Sequence, residues 1–380
     1  MVSEKIVIYG LSTEGYSLAC QMAVNGADVQ IIDETSSSAM SLTSEIAQTY
    51  PSINSLKEDE PLLSMEPIEI AVSNAKYLFF TPKIRKMDQD LKTELNSKFK
   101  DAVESLKKGS NLIYCLGTGF GGNNENISIL EHVTGFKAGK SISYFYFPVN
   151  DSNQTPTIIG SFNNTDDKKL ASFLATDKEG KKFVSISTAE QLHAIDTVKR
   201  FTSICSIVEI CDSRKFQRSG KKSDLDFTDF KNLYLDDMIN GLYDLRSIAS
   251  SFEGVNSLMY LINGCLKGIS SYIKRLIDII RITLKKNDLK ASRTKIILSW
   301  TFDLNGMRGE KIEILDLLTS KLRDYIGDVE TSQKPEDIFR SDKKTIVIVC
   351  SKYDYKKIKQ NQRSEDFLVI KANSLCEVEQ

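Results

Sequence analysis

The 380-residue sequence predicts an α/β protein in three parts, with strand–helix domains at both ends and an all-helical segment between them. Three observations carry this. A buried-strand run, KIVIY, is followed by a glycine turn, a helix and a second strand that ends at Asp33. Apolar runs then alternate with helical stretches of roughly 10–20 residues, the pattern of a doubly wound, mainly parallel sheet. That alternation stops near Ser187 and returns at Arg293.

In order, the first domain covers 1–186. After Asp33 comes a helical, serine-rich stretch, then EIAVSNAKYLFFTP, read as a strand ending at Thr81-Pro82. A helix from Asp88 to Lys108 is closed by Gly109. The strand NLIYCL, the loop GTGFGG and a helix over 124–133 follow, and SISYFYFP and TPTIIGSF supply two edge strands. The central segment, 187–292, begins with a long helix from Ala189 to Cys211. Polar residues Asp212–Asp229, with RSGKKSD at their centre, read as an exposed loop. Helices then run to Lys286, and SYIKRLIDIIRITL has the apolar spacing of one packed face. In the last domain, 293–380, TKIILSW is a strand, GEKIEILDLLTSKLRDYI an amphipathic helix, KKTIVIVC a buried strand and DFLVIKA a short final one.

Composition narrows the function class. A chain that is 41% hydrophobic and 27% charged, with 7 prolines, is that of a soluble globular protein. A net charge of -1 supplies no field for nucleic acid, and the basic run RKFQRSGKK has too few aromatics for a stacking platform. The 7 cysteines lie mostly in apolar runs without C-x-x-C pairs, which indicates reduced core thiols in a cytoplasmic protein. With 2 histidines and no thiol cluster, a zinc site is not expected. Neither a signal peptide nor a membrane-spanning run is read.

The opening βαβ unit carries the chemistry. Gly10 makes the tight turn of a dinucleotide-binding, Rossmann-like domain and Gly15 lets the helix pack against the strand, while the helix N–H groups face a pyrophosphate. Asp33 stands where a carboxylate accepts from a ribose diol. The middle glycine of G-x-G-x-x-G is Ser12, however, and Glu14 lies inside the loop. A Cβ and an anion there both oppose an anionic ligand.

Five stretches spread over nearly the whole chain, YGLSTEGYSLA, FFTPKIRKMDQD, CLGTGFGG, the helix from Ala189 to Ile210 and MRGEKIEILDLL, resemble motifs of the UDP-glucose/GDP-mannose (nucleotide-sugar) dehydrogenase family. YGLSTEGYSLA resembles its G-x-G-Y-V-G-x-x-x-A, and FFTPKIRKMDQD its T-P followed by Asp. CLGTGFGG resembles its S-T-V-x-P-G loop, with Thr118 and Gly122 on the Thr and Gly. Along its A-E-x-x-K-x-x-x-N-x-x-R helix, Ala189, Glu190, Arg200 and Glu209 match. MRGEKIEILDLL resembles its R-x-S-P helix start, with Arg308 near the arginine of the nucleotide-binding domain, although the Y-K pair before it is Thr301-Phe302. The resemblance implies a central helical dimerisation domain and a smaller C-terminal Rossmann-like domain. It also implies NAD as cofactor, with Gly10, Ser12, Gly15, Asp33, Thr81 and Thr118 at its site, and Arg308 on a nucleotide sugar.

Enzymes of that family oxidise an alcohol to a carboxylate with two NAD. A cysteine traps the aldehyde as a thiohemiacetal that becomes a thioester, a lysine and an asparagine steady the oxyanion, and a glutamate assists hydrolysis. Carried over, those positions are Asn240 for the cysteine, His193 for the lysine, Thr197 for the asparagine and Val149 for the glutamate. Tyr243 replaces the lysine of C-x-x-K-D. Only Thr118 and Asp244 remain of the chemical set.

Each position also has a plainer reading. Thr118 holds a phosphate or nicotinamide edge, or belongs to a glycine-rich turn. Asp33 binds ribose, or caps the next turn. His193 is an acid or base, or a packed core histidine; Asp244 is a catalytic residue, or a solvated helix residue. KYDYKKIKQNQR is a solvated surface, or offers lysines to a diphosphate. Cys265 is a substitute nucleophile, or a small buried helix residue. The leading expectation is a catalytically degenerate homologue acting as a binding, regulatory or structural protein, homodimeric through helices 189–211 and 269–286. Its rival is a working NAD-dependent oxidoreductase in polysaccharide precursor synthesis.

Overall fold

The computed structural model describes residues 4–36, 38–59, 61–85, 91–149, 157–175, 180–212, 231–252, 257–337, 344–361 and 367–379. They pack as two units. The first comprises Met1–Asp196, Ser247–Glu253 and Asp303–Gly309; the second comprises Thr197–Arg246, Gly254–Phe302 and Glu310–Gln380. These units cut across the boundaries expected at 186/187 and 292/293. Two short segments distant in sequence, 247–253 and 303–309, pack with the first sheet.

The first unit is built on strands β1 (Lys5–Tyr9), β2 (Asp28–Asp33), β3 (Ser38–Leu42), β4 (Met65–Pro67), β5 (Tyr77–Phe80), β6 (Asn111–Tyr114), β7 (Ser143–Tyr146), β8 (Ile158–Ser161) and β9 (Lys182–Ser185), in the order β4-β3-β2-β1-β5-β6-β7-β8-β9. β1 pairs parallel with both β2 and β5, Ile8 facing Ile31 on one side and Phe79 on the other. Strand order therefore reverses at β1, and the crevice at its carboxyl end is where such sheets bind ligands. Helices α1 (Thr13–Val24), α5 (Leu91–Val103) and α6 (Gly122–Thr134) follow β1, β5 and β6. The core beneath is aromatic: Phe80 meets Phe99 edge-on at 5.1 Å between centroids and Tyr114 at 5.3 Å.

Three local expectations are corrected. The stretch after Asp33 is not wholly helical, because Ser38–Leu42 forms β3, antiparallel to β2. Its Ala39, Met40 and Leu42 are buried on the sheet, so tertiary burial overrides the serines. Helices α2 (Ser44–Thr49) and α3 (Ile53–Asp59) come only afterwards. Of EIAVSNAKYLFFTP, Ile68–Ser73 is a short helix (α4) and Tyr77–Phe80 alone is strand. β7 and β8 are not edges, since β9 pairs parallel outside β8; helix α7 (Lys168–Leu174) precedes it.

Helix α8 (Ile186–Asp212) passes from the first unit to the second. The second unit adds α9 (Leu235–Ile239), α10 (Leu242–Ser250), of which Ser247 onward belongs to the first unit, and the 30-residue α11 (Ser257–Lys286). Ile262, Cys265, Ile269, Tyr272, Ile273, Leu276, Ile277 and Ile280 are its buried stripe, at the expected helical spacing. The second sheet, β11-β10-β12-β13-β14, comprises β10 (Thr294–Ser299), β11 (Val329–Ser332), β12 (Lys344–Val349), β13 (Phe367–Lys371) and β14 (Val378–Glu379). β10 pairs parallel with both β11 and β12, so this sheet also has a switch point. Helices α12 (Glu310–Arg323) and α13 (Lys352–Asn361) complete it over a core of Ile297, Val347, Val349, Ile358, Phe367 and Val369. The loop expected over Asp212–Asp229 lies, apart from Asp212, outside the described residues, as do the RKFQRSGKK run and the expected start of the helix at Asp88.

Candidate functional site

The turn after β1 keeps the geometry its glycines promised. Gly10 has φ +112°, and a Cβ there would run into the Thr81 carbonyl. A Cβ on Gly15 would strike the Thr81 hydroxyl and approach Gly10 O at 2.8 Å, so the helix lies directly against the strand ends. Ser12 is fully buried, donating from Oγ to Thr81 O at 2.9 Å and accepting from Gly15 N at 3.1 Å as the cap of α1. Thr81 donates to Tyr9 O and Gly10 O. Four expected cofactor-site residues, Gly10, Ser12, Gly15 and Thr81, thus meet at one point.

The polar groups around that point are already engaged. Thr13 N, at the start of α1, donates to Asn305 O at 3.0 Å, and its hydroxyl donates to the Asp303 carboxylate. Glu14, buried in the first turn, accepts from Met307 N at 2.8 Å. Asp33 Oδ1 accepts from Thr35 N and Thr35 Oγ1 at 2.9 and 2.7 Å, which is the capping arrangement of its plainer reading. Residues 303–309 thus take up the Thr13 amide, the Thr13 hydroxyl and the Glu14 carboxylate.

A second cluster surrounds Thr118. Glu190 accepts from Gly121 N (2.9 Å), Asn123 N (3.1 Å) and Asn123 Nδ2 (2.7 Å), an anion at the N-terminal end of α6. Asn123 also donates to Thr118 Oγ1 at 2.9 Å and accepts from the Tyr144 hydroxyl at 2.7 Å. Burial raises the Tyr144 pKa well above its ordinary value, so this hydroxyl remains a donor. Phe120 N donates to Ser251 Oγ at 3.0 Å. Two amides of GTGFGG, the Asn123 amide that follows it and the Thr118 hydroxyl therefore serve the chain's own side chains. Arg308, expected on a nucleotide, donates to Val149 O at 2.7 Å.

In the second unit, Asn240 ends α9 and Gly241 turns with φ +79°. Glu310, only 1% exposed, accepts from Gly241 N at 2.5 Å and Tyr243 N at 2.9 Å. The loop aligned with C-x-x-K-D is thus closed by an internal carboxylate. Asp244 is buried in the first turn of α10 rather than solvated. His193 is half-buried on α8. Cys265 is buried, and its carbonyl accepts from Cys205 Sγ at 3.3 Å. Burial, then neighbouring Cys265, pushes the Cys205 thiol to about 12. Burial likewise raises Cys20 to about 11, and lifts Cys115, Cys211, Cys350 and Cys376. These are the reverse of thiolate-forming surroundings. The exposed lysines of KYDYKKIKQNQR lie on α13, whose Asp354 is fully buried and accepts from Thr301 N at 2.8 Å. Among the described residues, no group of three or more His, Cys, Asp or Glu is placed to hold a metal, and no helix is long and apolar enough to cross a membrane.

Sequence reasoning did not single out Asn123, Glu310, Asp303 or Asn305. Glu310 was legible as an acid at a helix start, but its partners lie 67 and 69 positions away.

Solved structures align along almost the entire length. A UDP-glucose dehydrogenase from Pyrobaculum islandicum covers 97% of this chain and 94% of its own, at 14% identity and TM-score 0.60. This chain has the nucleotide-sugar dehydrogenase fold. A UDP-D-ManNAc dehydrogenase from Pyrococcus horikoshii covers 94% of this chain and 93% of its own, with 14% identity and TM-score 0.58. Cap5O, a UDP-N-acetyl-mannosamine dehydrogenase from Staphylococcus aureus, covers 96% and 97%, with 15% identity and TM-score 0.57. No protein-family model and no curated protein matches the sequence.

Proposed function

We propose that this chain is a nucleotide-sugar dehydrogenase homologue without the oxidation chemistry, acting as a binding, regulatory or structural protein in the cytoplasm. The observation that carries the reading is the loop at the nucleophile position: it holds Asn240, and Glu310 closes the amides beside it. An amide side chain forms no thiohemiacetal, and Val149 offers no base. Loss of a nucleophile or oxyanion donor costs roughly 10² to 10⁶ in rate. The Cys205 thiol, packed against Cys265, is pushed up by burial and does not offset that loss. In this reading NAD binding is weakened by Ser12 and Glu14, any ligand is a nucleotide sugar such as the relatives act on, and α8 and α11 join two copies.

The test is absorbance at 340 nm with NAD⁺ and either UDP-glucose or UDP-N-acetylmannosamine. The reading expects no substrate-dependent NADH from micromolar protein over hours; steady turnover sinks it. Light scattering tests the dimer, and a strict monomer ends that part.

A further inference from the structure

Residues 303–309, DLNGMRG, belong to the first unit and lie along the turn after β1. The segment touches this site through several backbone and side-chain groups. Asn305 O accepts from Thr13 N, and Met307 N donates to Glu14. Met307 O accepts from Ile84 N at 2.7 Å, a backbone connection to the residues after β5. Arg85 donates to Leu304 O (2.9 Å) and Gly306 O (3.1 Å). Lys57 and Lys83 both donate to Asn305 Oδ1, at 3.3 and 3.5 Å. Met307 is fully buried, and Gly309 lies so close that a Cβ would stand 2.8 Å from Ile84 O.

Helix N-termini after a glycine turn bind phosphate because unsatisfied amides and the helix dipole converge there. Here a peptide carbonyl takes the Thr13 amide, and three cationic side chains donate to neutral oxygens of the same peptide. The two substitutions that damage the dinucleotide pattern suit this occupant. Glu14 repels a phosphate but accepts the Met307 amide. Ser12 removes the close approach a pyrophosphate needs, yet leaves a peptide at normal hydrogen-bond distance.

We propose that residues 303–309 are a built-in ligand of the first crevice, held where related folds hold a dinucleotide, and that they exclude NAD(H). This goes beyond the loss of chemistry, since a protein without a nucleophile can still bind NADH. A self-occupied site lowers apparent affinity by the fraction of molecules in which it is open.

Fluorescence titration of the whole chain with NADH tests this, alongside hydrogen exchange at Ile84 and Met307. Two variants are compared with the parent: Asp303→Gly with Asn305→Gly and Met307→Gly, and the milder Glu14→Gln with Asp303→Asn, which serves if the first fails to fold. The parent is expected to show no saturation at millimolar NADH. A folded variant should lose protection at both amides and bind NADH at least about tenfold more tightly. Saturable NADH binding by the parent with those amides still protected overturns the proposal. So does a folded variant whose amides exchange freely but whose affinity is unchanged. Because binding is read without turnover, failure here is separable from failure of the redox reading.

Discussion

Both sheets end in a crevice at the carboxyl edge of their first strand, and the chain fills both with different chemistry. In the first, the occupant is a short loop whose Asp303 and Leu304 are exposed and whose anchors are mainly backbone carbonyls and amides. In the second, residues 233–236 dock on the strand ends: Leu235 N donates to Ala372 O, Asp236 N to Cys350 O, and Ser374 N to Leu233 O. There the buried Trp300 donates its indole N–H to Asp236 at 2.8 Å, and Lys311 pairs with the same carboxylate at 3.0 Å. A filling fixed by an aromatic ring and a part-buried ion pair behaves as core. One fixed by half-exposed polar contacts opens locally, at a fraction of the global free energy.

The largest expected effect follows from the second crevice. Trp300→Ala should cost about 3–5 kcal/mol of global stability in urea melts, because it leaves a cavity and removes the indole donor to Asp236. A loss below about 1 kcal/mol would remove the distinction. Asp236→Asn keeps an acceptor for the indole but discards the charge facing Lys311; about 1–2 kcal/mol should be lost, again globally. Glu14→Gln is the matching change in the first crevice. It should cost about 1 kcal/mol or less, and speed exchange at Met307 while leaving Leu235 unchanged. If both amides respond together, the crevices are not independent.

The smallest effect is one of pH. Burial, only partly offset by hydrogen bonds from Thr301 and Ser351, raises the Asp354 pKa above its ordinary value. The folded protein therefore takes this proton first as pH falls. Stability from this group rises as pH drops through the folded pKa and levels off below the unfolded value, near 3.9. Asp354→Asn has no proton to take, so the difference between parent and variant should shift in the parent's favour on acidification from pH 7 to about 4. A constant difference across that range would contradict the assignment.

Much of the architecture was legible from local pattern. Gly10 and Gly15 announced the first βαβ unit, and the stripe through Ile269, Tyr272, Ile273 and Leu276 announced α11. β3 was hidden because its serines mask a strand that only pairing with β2 creates. In the site, Ser12 and Glu14 were visible as departures from a phosphate-binding turn, but what they favour was not. Glu14 meets Met307 across 293 positions, and no periodicity encodes such a contact. The DLNG sequence holds turn formers after a strand, and no local pattern ties it to the turn after β1. Asp33 shows the reverse case: its capping of Thr35 is local, and that alternative stood in the sequence.

Native-state hydrogen exchange at four amides tests the central claim most directly. Ile84 and Met307 report the first crevice, and Leu235 and Asp236 the second. The account expects all four to be protected, with the first pair opening at clearly lower free energy than the second and without unfolding the sheet. Exchange of Ile84 and Met307 at the rates of an unstructured peptide would mean that the segment does not occupy its crevice, and would contradict it.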